Sequence, residues 1–244
     1  HGRTLLGAAA CGRSEKMVRT LLTAGATDDV NVLFGGERDS ALHVAASRGA
    51  KDSCRALMIA GADPNVRDRS QRSPLHVAAE AGHHRVTGSQ GRSAGANYSL
   101  RANGSRSPLG IAASRDHADV LKTLLEKGSS EVDATNGPGW TALHHAASVD
   151  GPVRDNGDAV RVLLGAGADV NVKTANDSCF TPLHLVVSRR MASDGTIRAL
   201  LEGGASVHAR ARRDQTPLHL ACRRSSVTGV ELLLRWGADE QLTS

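Results

Sequence analysis

Apolar residues recur along the chain in a fixed two-part figure. A Ser or Thr opens a short run of Leu, Ala and Val, as in SPLHVAA from Ser73 and TPLHLAC from Thr216. Further on, two large apolar residues precede a Gly: Leu21-Leu22, Leu57-Met58, Leu124-Leu125, Leu163-Leu164, Leu200-Leu201 and Leu233-Leu234. Polar segments such as ADPNVRDRSQR separate one figure from the next. The opening runs start at Thr4, Ser40, Ser73, Ser107, Thr141, Thr181 and Thr216, at spacings of 36, 33, 34, 34, 40 and 35 residues.

Each figure predicts the same structure. Ser or Thr is a good helix N-cap, and Pro in the next position suits the first helical turn. The helix that follows is small and apolar, so neighbouring helices approach closely. A second helix ends in the apolar pair and stops at a left-handed Gly. The polar segment after it is expected as a hairpin or finger. No unit buries its apolar face alone, so stability is shared with neighbours.

The period and the T-P-L-H-x-A core match a known repeat. Five units carry TxLH or SxLH, and markers such as AGADPN, AGADVN and GGASVH follow. Over almost its whole length the chain resembles the ankyrin repeat family, in seven units. The resemblance implies an all-α fold: an ankyrin-repeat solenoid of helix-turn-helix units with short finger hairpins, elongated and right-handed. It also implies one repeat domain over residues 1–244 and a partner met on the concave face formed by finger tips and first helices.

Composition agrees with a thin, repetitive core. Trp140, Trp236, Tyr98, Phe34 and Phe180 are the only aromatic residues. The formal charge is +5, and 25 of the 30 basic residues are Arg. Arg favours bidentate contacts with carboxylates or phosphates, so an acidic partner is expected. Cys11, Cys54, Cys179 and Cys222 are scattered without a CxxC pair, against a zinc site or a disulfide framework. An intracellular location, cytoplasmic or nuclear, follows. No apolar run is long enough to cross a bilayer. The termini, HGRT and GADEQLTS, read as a cut from a longer repeat protein.

The recurring His43, His76, His144, His184 and His219 raise a metal reading. One His per unit places successive imidazoles roughly 10 Å apart, too far to share an ion. Gly7 and Gly110 also replace it in two units. A scaffold hydrogen bond at the helix start is expected instead. No nucleophile–base pair stands in a recognisable motif, so neither catalysis nor a cofactor is expected. GSQGRS, from Gly88, lacks the Lys of a phosphate-binding G-x-x-x-x-G-K-[ST] loop.

Function therefore belongs to positions that depart from the repeat. Trp140 and Phe180 occupy the same place, just before the cap, in adjacent units. With Arg72, Arg106, Arg189, Arg212, Arg213, Arg223 and Arg224 they form the candidate partner-binding set, since Trp and Arg are frequent hot-spot residues. The alternative for Phe180 is packing under its own lengthened finger, VKTANDSCF. Polar insertions, DGPVRDNGD and part of SRRMASDGT, are expected as exposed loops. In the third unit Gly91-Arg92 stands where the Leu pair belongs. Losing that pair forgoes roughly 3–6 kcal/mol, so the second helix there is expected to be short, frayed or absent. Residues 86–100 become a candidate weak joint.

Two functions compete. One is a non-enzymatic scaffold binding a protein or peptide partner. The other is the regulatory or targeting segment of a larger multidomain protein, enzymatic or otherwise. Nucleic-acid binding through Arg patches ranks below both, lacking an aromatic platform for single strands. No small-molecule substrate is expected.

Overall fold

A computed structural model describes residues 4–12, 14–89, 95–127, 131–148, 155–189 and 193–239. The repeat's start signal is a hydrogen-bond exchange. The N–H of Ser40 donates to His43 Nδ1 at 3.2 Å, and the N–H of His43 donates back to Ser40 Oγ at 3.3 Å. Thr141 with His144 and Thr181 with His184 repeat it. This is a capping box in which His takes the place usual for Glu or Gln. The stop signal is equally local. At the end of the second helix of the second unit, Gly61 adopts φ 90°. Its N–H donates to Met58 O, and the N–H of Ala62 donates to Leu57 O. That pair of bonds is a Schellman closure.

Between these signals lie paired helices. In order they are α1 (Leu5–Cys11), α2 (Glu15–Thr23), α3 (Ala41–Ser47), α4 (Lys51–Ile59), α5 (Pro74–Glu80), α6 (His84–Ser89) and α7 (Pro108–Ser114). They continue as α8 (Ala118–Lys127), α9 (Ala142–Ala147), α10 (Gly157–Gly165), α11 (Pro182–Val187), α12 (Asp194–Glu202), α13 (Pro217–Arg223) and α14 (Val227–Arg235). Among the described residues no strand forms. One isolated bridge joins Phe34 to Asp39 at a finger base, and two finger tips are short 3-10 turns, Asn103–Ser105 and Arg212–Asp214.

The chain divides into two compact units, residues 1–111 with 122–130, and residues 112–121 with 131–244. In the first, α1, α3 and α5 pack side by side, and α2, α4 and α6 form the adjoining row. In the second, α9, α11 and α13 form one row and α10, α12 and α14 the other. Small residues allow the first row to close: Ala45, Ala46, Ala78, Ala79, Ala146 and Ala147 are buried. From the second repeat on, the first member of the apolar pair fills the space between rows where a pair is present. Leu57, Leu163, Leu200 and Leu233 are wholly buried, each worth roughly 1.5–3 kcal/mol.

Two local departures have visible causes. Gly7 replaces the His of the first unit, and a Cβ added there would lie 2.2 Å from Phe34 Cζ. The buried Phe34 ring thus occupies the space beside Gly7. In the third unit α6 is described over His84–Ser89, where the described residues stop. Gly88, inside α6, lets Thr123 come close: an added Cβ would meet Thr123 Cγ2 at 3.3 Å. Gly91 and Arg92 lie outside the described residues, as do residues 150–154 and 190–192 of the two insertion segments.

Polar side chains stitch neighbouring units. Asn31 donates to Gly61 O and accepts from the N–H of Asp63. Asn65 does the same with Gly95 and Asn97, and Asn171 with Gly204 and Ser206. Adjacent fingers join through backbone bonds, including Ala175 N–H to Pro138 O at 3.1 Å.

Candidate functional site

The residue before each cap has two jobs. Its backbone closes the finger: in the fifth unit the N–H of Trp140 donates to Asn136 Oδ1 at 2.8 Å, and Trp140 O accepts from the N–H of Asn136. In the sixth unit Thr174 takes that role for Phe180, its Oγ1 accepting from the Phe180 N–H at 3.0 Å. Its side chain is left half-buried on the surface.

The conserved geometry of the scaffold His organises these positions. Nδ1 accepts from the cap N–H, so Nδ1 carries a lone pair and Nε2 carries the hydrogen. Nε2–H then donates to the carbonyl before the next cap: His43 to Arg72 O at 2.9 Å, His76 to Arg106 O at 3.3 Å, His144 to Phe180 O at 3.1 Å, and His184 to Gln215 O at 3.1 Å. Burial pushes all four imidazoles below their ordinary pKa, with His76 and His184 down to about 4; the carbonyl bonds offset this only in part. A neutral ring with both nitrogens engaged is a girder and has no lone pair left for a metal. Among the described residues no three His, Cys, Asp or Glu side chains are grouped to hold an ion.

The same rings support the two aromatic residues. Trp140 lies 6.2 Å from His144 and 5.3 Å from His145, ring centre to ring centre. Phe180 stacks on His184 at 5.6 Å with planes 7° apart. The Phe180 ring therefore rests on the first helix of its own repeat. In the second unit a continuous contact path runs from Trp140 through His144, Phe180 and His184 to the Gln215 carbonyl.

The arginines divide by environment. Arg72 and Arg106 belong to the first unit, the others to the second. Arg72 is held between Asp68 at 2.7 Å and Glu80 at 3.0 Å. Arg106 is exposed. Arg189 is half-buried. Arg212 reaches Asp177 at 3.5 Å, and Arg213 is exposed with a left-handed backbone, φ 60°. Arg223 and Arg224, at the end of α13, are exposed and make no ion pair among the described residues. The sequence reading missed the Arg72 pairing and the His-to-carbonyl bonds. It also missed the Asn stitch, although Asn recurs at 31, 65 and 171 within the second marker.

Similar proteins share this construction. The family model described as ankyrin repeats (3 copies) matches residues 5–88, 90–174 and 152–244. The chain is 32% identical over 90% of its length to human ankyrin repeat and SOCS box protein 16, covering 40% of that protein. It is 31% identical over 93% of its length to the E3 ubiquitin-protein ligase KEG of Arabidopsis thaliana, covering 14% of it. It is 28% identical over 92% of its length to the nuclear factor NF-kappa-B p105 subunit of Gallus gallus, covering 19%. The chain thus spans less than half the length of these relatives. The human ASB11 ankyrin repeat domain superposes with a TM-score of 0.79 at 26% identity, over 97% of this chain and 99% of that one. The Bcl-3 ankyrin repeat domain, at 24% identity, shares the fold with a TM-score of 0.73 over 96% and 98%. The capping His, the Schellman-closed second helix and the finger that links them recur because this chain belongs to the ankyrin repeat family.

Proposed function

We propose that the chain is a non-enzymatic scaffold binding a protein or peptide segment on the finger and first-helix face of its second unit. One observation carries the reading: Trp140 and Phe180 are each propped on scaffold imidazoles yet half-open to solvent. A buried ring would serve the core, and a fully exposed one would cost entropy to order on binding. A propped ring is already placed. Arg223 and Arg224, with Arg212, Arg213 and Arg189, supply positive charge, so the partner carries acidic residues around an apolar anchor. Arg106 extends the set in the first unit. Arg72 contributes less, being committed to Asp68 and Glu80.

No cofactor or small-molecule substrate belongs to this reading. An intracellular setting, cytoplasm or nucleus, is supported by the scattered cysteines, of which Cys179 and Cys222 are free thiols. Among the described residues no helix is long and apolar enough to cross a membrane. A second reading, a regulatory or targeting segment of a larger protein, is supported by the coverage of the relatives, 14% to 40%. The two are compatible.

The test is selection from a peptide library with Asp and Glu placed around one apolar residue. Recovered peptides should lose affinity with Trp140→Ala and with Arg223→Ala/Arg224→Ala. Peptides that bind these variants as well as the parent would defeat the reading. So would binding found only with nucleic acid and weakening steeply with salt.

A further inference from the structure

We infer that Ser226 is a phosphate acceptor for a Ser/Thr kinase that reads paired arginines, and that its phosphate closes the arginine surface of the second unit. The second half rests on that surface binding an acidic partner, as proposed above. Arg223 and Arg224 stand three and two residues before Ser226, and the apolar Val227 follows it. Kinases that take basic substrates select them by this kind of charge pattern. Three second helices are capped by Ser: Ser14, Ser193 and Ser226 each accept the N–H three residues on. Of these three, only Ser226 carries the arginine pair. Cys11 and Gly12 stand at the same distances before Ser14, and Arg190 and Met191 before Ser193. The Ser193 hydroxyl is also committed to Asp155, at 2.7 Å, and Asp194 follows it. A phosphate on Ser193 would face two carboxylates. From Thr216 to Val230 the chain has no Asp or Glu.

The residues a kinase would read are on the surface. Arg223, Arg224 and Ser225 are exposed, and Val227 is 69% exposed. Ser225 has φ 55° and Ser226 has φ −82° and ψ 88°, so the backbone between α13 and α14 is non-helical here. Ser226 itself is 4% exposed, and its Oγ is reached by opening the first turn of α14. That turn is Val227, Thr228, Gly229 and Val230, all poor helix formers. Ser226 holds it by a bond of 3.3 Å from the Gly229 N–H.

In the transfer Ser226 Oγ attacks the γ-phosphorus of Mg-bound ATP. Its proton passes to the kinase's base, and the bond to the bridging oxygen breaks to release ADP. The product has a place to sit. It lies at the N-terminus of the nine-residue α14, where backbone N–H groups favour an anion. A Cβ on Gly229 would lie 2.8 Å from Ser226 Oγ, so the glycine keeps the space beside the hydroxyl clear. About two negative charges then arrive beside two arginines. Arg223 and Arg224 are drawn onto the phosphate instead of onto a partner's carboxylates.

In the experiment the full 1–244 chain is incubated with Mg-bound ATP and the catalytic subunit of cyclic-AMP-dependent protein kinase, which reads arginines at those two positions. Fragment mass spectrometry should place one phosphate on Ser226. Ser226→Asn, which keeps a good helix cap, should carry none. Arg223→Ala/Arg224→Ala should be modified about tenfold more slowly or worse. No transfer to the folded chain, transfer only in urea, or a phosphate on Ser225 instead would overturn the assignment. Binding of an acidic peptide selected from the library is then measured with and without the phosphate. Affinity should fall about tenfold or more and return after phosphatase treatment, while the kinase-treated Ser226→Asn chain keeps its affinity. Unchanged affinity of the fully phosphorylated chain would overturn the closing of the surface. If the unmodified chain selects no acidic peptide, the partner reading fails instead, and the mass map alone decides whether Ser226 is the acceptor.

Discussion

His144 donates its Nε2–H to the backbone carbonyl of Phe180, 3.1 Å away in the next repeat, while its Nδ1 accepts from Thr141. The Nδ1 bond exists only for the neutral ring, because His+ has a hydrogen on both nitrogens. Protonation puts a second hydrogen on Nδ1, facing the cap N–H, and breaks the exchange.

Acid should therefore weaken the capped helix starts and with them the fold. In the unfolded chain these imidazoles titrate near the ordinary 6.5, while His76 and His184 in the fold are held at about 4. Above the unfolded value neither state is protonated and the stability is fully present. Between 6.5 and 4 only the unfolded state gains protons, so stability falls, by roughly 3 kcal/mol for each such His at the lower limit. Burial pushes the Asp116 and Asp39 carboxyls up, which opposes the trend at the acid end. Urea melts from pH 7 to pH 4.5, with nitrogen NMR of the rings, check this. Retention of full stability at pH 4.5, or a ring carrying its hydrogen on Nδ1, would refute the assignment.

Trp140→Ala should weaken partner binding by about 2 kcal/mol or more if Trp140 is a hot spot. Its ring touches only imidazoles of its own helix among the aromatic contacts described, so the loss of folding stability should stay below about 1 kcal/mol. Calorimetric titration and thermal melting separate the two. A large drop in melting temperature with unchanged affinity would make the residue a core element.

Gly7→Ala should destabilise the first unit even though Ala is the better helix former by about 1 kcal/mol. The new Cβ would meet the Phe34 ring at 2.2 Å, and overpacking of this kind costs about 1–3 kcal/mol. Phe34→Ala removes the obstacle at its own cavity cost. In a double-mutant cycle the two changes should therefore cost less together than their sum, by about 1 kcal/mol or more. Simple additivity would show that the ring does not occupy that space in solution.

Gly139→Ala should cost more than about 2 kcal/mol. Gly139 has φ 77°, a conformation that costs an L-residue roughly 1–2 kcal/mol. Its added Cβ would lie 2.3 Å from the backbone nitrogen of Ala175, so the two fingers must part. Amide exchange at Ala175, whose N–H donates to Pro138 O, should accelerate. Unchanged exchange there would place the fingers further apart.

The sequence was most informative where physics is local. Thr181 followed by Pro182 reads as a cap and first turn because both preferences act within one helical turn. Leu163 reads as core because the apolar pair recurs. Relations across repeats were hidden. Nothing in the run around Gly7 announces that Phe34, 27 residues on, fills its place, since an aromatic in a polar finger looks exposed. Arg72 looked like a free surface charge, but Asp68 four residues earlier and Glu80 eight later converge on it only once finger and helix are folded together. Trp140 and Phe180 were visible as anomalies; their imidazole supports were not.

The bonds from His43, His76, His144 and His184 end on main-chain oxygens, and that choice separates heredity of shape from heredity of taste. Arg72, Arg106, Phe180 and Gln215 all offer the same carbonyl while presenting four side chains across charged, aromatic and neutral polar types. A mutation at such a position changes the side chain presented at the surface and leaves the joint between repeats with its acceptor. A lineage can therefore vary these side chains one substitution at a time, without passing through unfolded ancestors.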